Sequence, residues 1–163
     1  MNFYDHIWNM SVALEEAEKA FREDEVPIGA IIVNEDNKII AKAYNRKEGP
    51  NNPLGHAELL AIKKASEELE NWRLTKCTLY VTIEPCPMCL SALVQARISN
   101  LVFGAYDLKG GALSLNYNLY KDQRLNHNFS VIGGVKHYDC ASLMSLFFQE
   151  KRKGFNRKKR FNS

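Results

Sequence analysis

Four residues of this chain have types and spacing suited to chemistry: His56 and Glu58 in His56-Ala57-Glu58, and Cys86 and Cys89 in Pro85-Cys86-Pro87-Met88-Cys89. An imidazole and two thiolates make three ligands of the kind zinc takes. A catalytic zinc site needs that number, with a fourth position open to water and a base beside it to move that water's proton. Glu58 supplies the base. Two cysteines three apart at a helix start place their sulfurs on one face. His56 precedes Ala57, Leu60 and Ala61, apolar positions at helical spacing, so it too is predicted at a helix N-terminus. Two helix N-termini aimed at one point favour thiolates and a bound hydroxide, because their unpaired N–H groups carry partial positive charge.

Each half of the pattern is ambiguous alone. A single C-x-x-C also fits a redox pair or half of a structural zinc site, and a single H-x-E is ordinarily solvated surface. A structural site would need a fourth protein ligand, and Cys77, Cys140, His127 and His137 are available in composition. Cys77, in the alternating run Lys76 to Val81, is expected as a small buried hydrophobe, as is Cys140 in the C-terminal helical run. His6, before Ile7-Trp8, is expected to be packed or solvated rather than ligating.

The elements that must position these groups can be read from periodicity. Residues 5–23 carry Ile7, Met10, Val12, Leu14, Ala17 and Phe21 on a helical period. Pro27 to Val33 is a continuous apolar run, predicted as a buried strand, with Asn34 to Asn37 as a hairpin turn and Lys38 to Tyr44 as the return strand. Residues 45–55 are a loop leading into a helix from His56 to about Asn71. Thr78 to Ile83 is the third strand, Met88 to Arg97 the helix bearing the cysteines, and Leu101 to Gly104 the fourth strand. Residues 112–128 show no clear period. Ser130 to Val135 is predicted as a final strand and Tyr138 to about Lys153 as a closing helix. This order implies an α/β fold, a three-layer α/β/α sandwich around a central mixed five-stranded sheet, with ligands near one strand edge.

Composition sets the frame. The 163 residues, 45% hydrophobic and 25% charged, suit one globular domain. No stretch approaches 18 apolar residues, and the start lacks a basic-then-apolar signal, so a cytoplasmic protein with reduced thiols and no membrane partner is expected. The net charge of +3 is unevenly spread: residues 150–163 carry +6 and residues 1–149 carry −3. Such a basic end is either a solvated tail or the footprint of a polyanion partner.

The motif pair, with thirty residues from His56 to Cys86 and a proline before the first cysteine, resembles the zinc nucleobase deaminases of the cytidine-deaminase-like superfamily. Further words narrow the resemblance to the bacterial tRNA-specific adenosine deaminases. They are Glu25-Val26-Pro27-Ile28-Gly29-Ala30, Asn45-Arg46, Trp72-Arg73-Leu74, Thr78 to Thr82, Glu84-Pro85-Cys86, Ala96-Arg97-Ile98, Phe103-Gly104-Ala105, Asp107 with Lys109, Asn126-His127, and Phe147-Phe148 with Lys151-Arg152. The likeness runs from about residue 5 to 153, which marks residues 1–153 as a zinc-dependent deaminase domain and 154–163 as a basic C-terminal tail.

The resemblance implies deamination of adenosine to inosine at the wobble position (34) of a tRNA anticodon, typically of an arginine tRNA, by a homodimer with one zinc per subunit. It implies His56, Cys86 and Cys89 as zinc ligands and Glu58 as proton shuttle. Asn45, Ile28 and Ala57 would bind the flipped base, and Asp107, Lys109, Phe148 and Arg152 would lie near the anticodon stem-loop. Of the adjacent Phe147 and Phe148, one is expected in the core and the other facing RNA. Departures from the family wording fall at Asn52-Pro53-Leu54-Gly55, Gln149-Glu150 and Leu115-Asn116-Tyr117. Two other readings stand beside this one. The first is a deaminase of free guanine, cytosine or a nucleoside, and the second a zinc-stabilised RNA-binding module without catalysis, which could dispense with Glu58.

Overall fold

In a computed structural model, the backbone of residues 2–161 and the side chains of residues 2–153 are described. The side chains of the tail 154–163 therefore lie outside the described residues.

The helices and strands follow the sequence pattern closely. Helix α1 spans Phe3–Arg22, with Asn2 and Asp5 exchanging side-chain-to-backbone hydrogen bonds as a capping box. Strands β1 (Gly29–Val33) and β2 (Ile39–Tyr44) form the hairpin, closed where Asn34 Oδ1 accepts from the Asp36 and Lys38 amides. Helix α2 covers Ala57–Glu68, β3 Thr78–Ile83, α3 Pro87–Gln95, β4 Asn100–Ala105 and β5 Ser130–Ile132. Helix α4 runs His137–Phe161, so its backbone continues past Lys153, where the closing helix was expected to end. The final strand is shorter than expected: the chain leaves it at Gly133-Gly134, where Gly134 takes a φ of 85°.

The sheet order is β2-β1-β3-β4-β5, with β1 antiparallel to β2 and β3, and β4 parallel to β3 and β5. This is the mixed five-stranded sheet expected from the sequence. Alternation sorts its side chains into two layers. Ala30, Ile32, Leu79, Val81, Leu101 and Phe103 face α2 and α3. Ile31, Val33, Tyr80 and Val102 face α1 and α4. Because both faces are covered, β1 reads as an unbroken apolar run. The helices press close where glycine allows: a Cβ on Gly29 would lie 2.0 Å from Ala13 O, and one on Gly104 would lie 2.4 Å from Cys140 Sγ. With β1 antiparallel to its neighbours, its N-terminus and the C-terminal ends of β2, β3 and β4 all arrive at one edge. The chemistry-bearing segments leave from that edge.

Candidate active site

His56 is the N-cap of α2, and Cys86 is the N-cap of α3 with Pro87 at the first helical position. Both helices therefore begin at a candidate ligand. His56 Nδ1 lies 3.8 Å from Cys86 Sγ and 3.5 Å from Cys89 Sγ, and the three ligand atoms lie within 4.8 Å of one another. Tetrahedral coordination at ordinary zinc bond lengths separates nitrogen from sulfur by about 3.6 Å, so the donor set fits such an ion. Among the described residues no fourth His, Cys, Asp or Glu joins this group.

The other candidate ligands have different surroundings. Cys77 is buried just before β3, and Cys140 is buried on α4 behind Gly104. His127 Nε2 is 2.6 Å from Ile98 O, and His137 packs its ring near Tyr106 and Tyr138. His6 Nδ1 is 2.9 Å from the Tyr80 hydroxyl. The structural reading, which needs one of these residues on the metal, finds none there.

The electrostatics suit an ion. Cys89 and then His56 hydrogen-bond to Cys86 and pull its thiol down to about 4, while Cys89 itself is pushed well up and His56 is raised by its bond to Cys86. The group is thus poised to present thiolate, and helix N-termini reinforce that charge. Glu58 sits in the first turn of α2, 2% exposed, and its Oε2 has no hydrogen-bond partner among the described residues. Burial pushes its carboxyl up to about 7. A buried carboxylate oxygen costs free energy when unpaired, so this one is placed for something other than stability.

The residues expected to hold a base are linked to one another. Asn45 Oδ1 accepts from the Ala57 amide at 3.0 Å, and the Asn45 amide donates to Ile28 O at 3.0 Å. Asn45 is 5% exposed. The loop between Asn45 and His56 is held by buried Glu25, whose carboxylate accepts from the amides of Lys47, Glu48 and Gly49.

Beside this edge lies a cavity of about 460 Å³, with Ile28, Tyr106, Asp107, Leu108, Lys109 and Phe148 among its walls. Asp107, Lys109 and Phe148 are therefore brought together, next to Ile28. Asp107 does local work as well: its Oδ1 accepts from the Lys109 and Gly110 amides and shapes the loop. Arg152 does not line the cavity. It is exposed one turn beyond Phe148 on α4 and has no ion-pair partner among the described residues. Of the adjacent pair, Phe147 is buried edge-to-face on Phe21 and Phe148 is 43% exposed, which divides core from surface as expected. Lys151, grouped by sequence with the basic tail, pairs with Asp24 at 2.5 Å and lies over the Phe147 ring.

Residues 4–152 match the family model of the MafB19-like deaminases. The chain is 46% identical over 144 residues to the tRNA-specific adenosine deaminase of Bacillus subtilis, covering 88% of this chain and 89% of that one. The chain belongs to this deaminase family. A solved structure from work on A-to-I editing by tRNA:A34 deaminases superposes with a TM-score of 0.78 at 40% identity, over 83% of this chain and 97% of that one. The guanine deaminase of Bacillus subtilis is less similar, with a TM-score of 0.57 at 35% identity over 75% and 73% of the two chains. The fold class and the deaminase identity read from the sequence are thus both met. In this deaminase no helix among the described residues is long and apolar enough to cross a membrane.

One buried group escaped sequence reading. Glu84, 2% exposed just after β3, stands in the sequence only as the first residue of Glu-Pro-Cys. Its partners are 23 and 30 residues away, and no local signal announces them.

Proposed function

We propose that this deaminase converts adenosine to inosine at the wobble position of a tRNA anticodon, with an arginine tRNA as first substrate. It would act as a cytoplasmic homodimer holding one zinc per subunit. The observation that carries the reading is the unpartnered Glu58 oxygen beside a three-ligand group without a fourth protein donor among the described residues. A structural metal site has no use for that carboxylate.

His56, Cys86 and Cys89 would hold the zinc, which when bound supplies a water acidified toward neutral pH as the nucleophile. Glu58 would take a proton from the attacking water and deliver it to N1 of the purine, making C6 electrophilic. Water's oxygen would bond to C6; Glu58 would then take the second proton, from the hydroxyl now on C6, and pass it to N6, so that the C6–N6 bond breaks, ammonia leaves and the C6 oxygen becomes the carbonyl of inosine. A carboxylate whose pKa lies near neutrality can both accept and donate in this way. The Asn45 side chain would orient the base, with the backbone at Ile28 and Ala57 shaping its pocket.

RNA is favoured over a free base by the neighbouring surface. A loop adenosine must leave its stack to reach a buried site, at a cost of about a few kcal/mol. Exposed Phe148 offers a stacking face, and Lys109 and Arg152 offer charge to phosphates. The curated relative's substrate supports the same choice. Leu54 and Met88, apolar and exposed on segments flanking the ligands, support a subunit contact at this edge.

The test is to give zinc-loaded protein an anticodon stem-loop with adenosine at the wobble position, alongside free adenosine, cytidine and guanine. Inosine formed in the stem-loop alone is the expected result. Turnover of a free base or nucleoside alone would establish the small-molecule reading, which the likeness to guanine deaminase keeps in view.

A further inference from the structure

Glu84 lies two residues before Cys86, and its buried carboxylate is fully engaged. Oε2 accepts from the Asp107 amide at 3.0 Å and from the Ser114 hydroxyl at 2.6 Å, and Oε1 accepts from the Ser114 amide at 2.7 Å. The backbone around it extends the link: the Glu84 amide donates to Ala105 O, and Pro85 O accepts from the Ala112 amide, both at 2.8 Å. Gly111 lies directly against the carboxylate, since a Cβ there would sit 2.3 Å from the Glu84 carboxyl carbon. Asp107, held by Glu84, in turn holds Lys109 and Gly110. A chain of contacts thus runs from the residue beside the Cys86 cap to the loop walling the cavity next to Ile28.

We propose that Glu84 is the positioning residue that registers the Asp107–Gly111 loop against the ligand-bearing start of α3, and so sets the grip on RNA without taking part in the chemistry. This rests on the reading of the protein as an RNA deaminase. A carboxylate is needed because three donors converge on it. Glutamine would offer one acceptor oxygen and turn an NH₂ group toward donors, leaving at least one buried N–H unaccepted.

The experiment compares wild type, Glu84→Gln, Ser114→Ala, Asp107→Ala and the Glu84→Gln/Asp107→Ala double variant, all zinc-loaded. For the stem-loop, Glu84→Gln is expected to raise KM about tenfold with kcat within about twofold, and Ser114→Ala to raise KM about two- to threefold. The double variant is expected to fall short of the product of its singles, because both act on one loop. Amide hydrogen exchange gives a readout independent of turnover: Asp107 and Ser114 should lose protection in Glu84→Gln while zinc content stays at wild-type level. An unchanged KM, unchanged protection, multiplicative singles, or a kcat loss accompanied by zinc loss would each overturn the proposal. If Glu84→Gln does not fold, Ser114→Ala carries the same test through KM and exchange. Failure of wild type to act on the stem-loop would instead sink the RNA reading, with the exchange arm still deciding the role of Glu84.

Discussion

Glu58 and Glu84 are equally buried, 2% exposed each, and both stand within a few residues of a ligand. Glu84 receives three hydrogen bonds, whereas Glu58 has an oxygen with none. Burial alone therefore does not tell a structural carboxylate from a chemical one; the account of donors does. Glu84 offsets its desolvation by tying two loops together. Glu58 offsets its desolvation only in part, and burial pushes its carboxyl up to about 7. The same division separates the phenylalanines of α4, where Phe147 packs on Phe21 and its neighbour Phe148 stays open beside the cavity.

The comparison can be broken most forcefully by pH. The folded chain holds Glu58 at about 7 against an ordinary 4.5, so between those values it keeps a proton that the unfolded chain has lost. The Glu58 contribution to the stability of the metal-free protein is therefore expected to fall as pH rises from about 4.5 through 7, by on the order of 3 kcal/mol, against the opposite contribution of the lowered Cys86 thiol. Urea midpoints of chelator-treated wild type and Glu58→Gln across this range should differ in slope, with wild type losing stability relative to the variant as pH rises. Equal slopes would mean that Glu58 is compensated after all.

A second test is the sign of each substitution. At pH 8, Glu84→Gln should cost about 1.5–3 kcal/mol, while Glu58→Gln should stabilise the metal-free protein by removing an unpaired buried charge. Costs of the same sign in both variants would erase the distinction. The smallest effect is on the surface: Arg152→Gln should leave stability unchanged and reduce the salt dependence of stem-loop binding by about one phosphate's worth. An unaltered salt slope would remove Arg152 from the RNA footprint.

Most of the fold was legible because local pattern and global burial agree. The alternation in Thr78–Ile83, the unbroken run into β1, and Pro87 directly after a ligand cysteine each announce an element. The grouping of His56, Cys86 and Cys89 near Glu58 was legible for the same reason, since their spacing maps directly onto two helix starts. Residues 112–128 resisted because their contacts are distant or lie in turns: Ser114 is held by Glu84, His127 by Ile98 O, and the chain between them turns through a short 3₁₀ segment at Leu119–Lys121. Glu84 was hidden for that reason too. The place of Lys151 was equally unreadable, because its partner Asp24 lies at the far end of the sequence, just past α1.

The most direct measurement is the metal content and turnover of Glu58→Gln beside wild type on the wobble-adenosine stem-loop. The account expects one zinc per chain in both proteins and a loss of inosine formation in the variant of at least about a thousandfold. Wild-type turnover in Glu58→Gln, or loss of its zinc, would contradict the central claim that this unpaired carboxylate does proton chemistry beside a three-ligand metal.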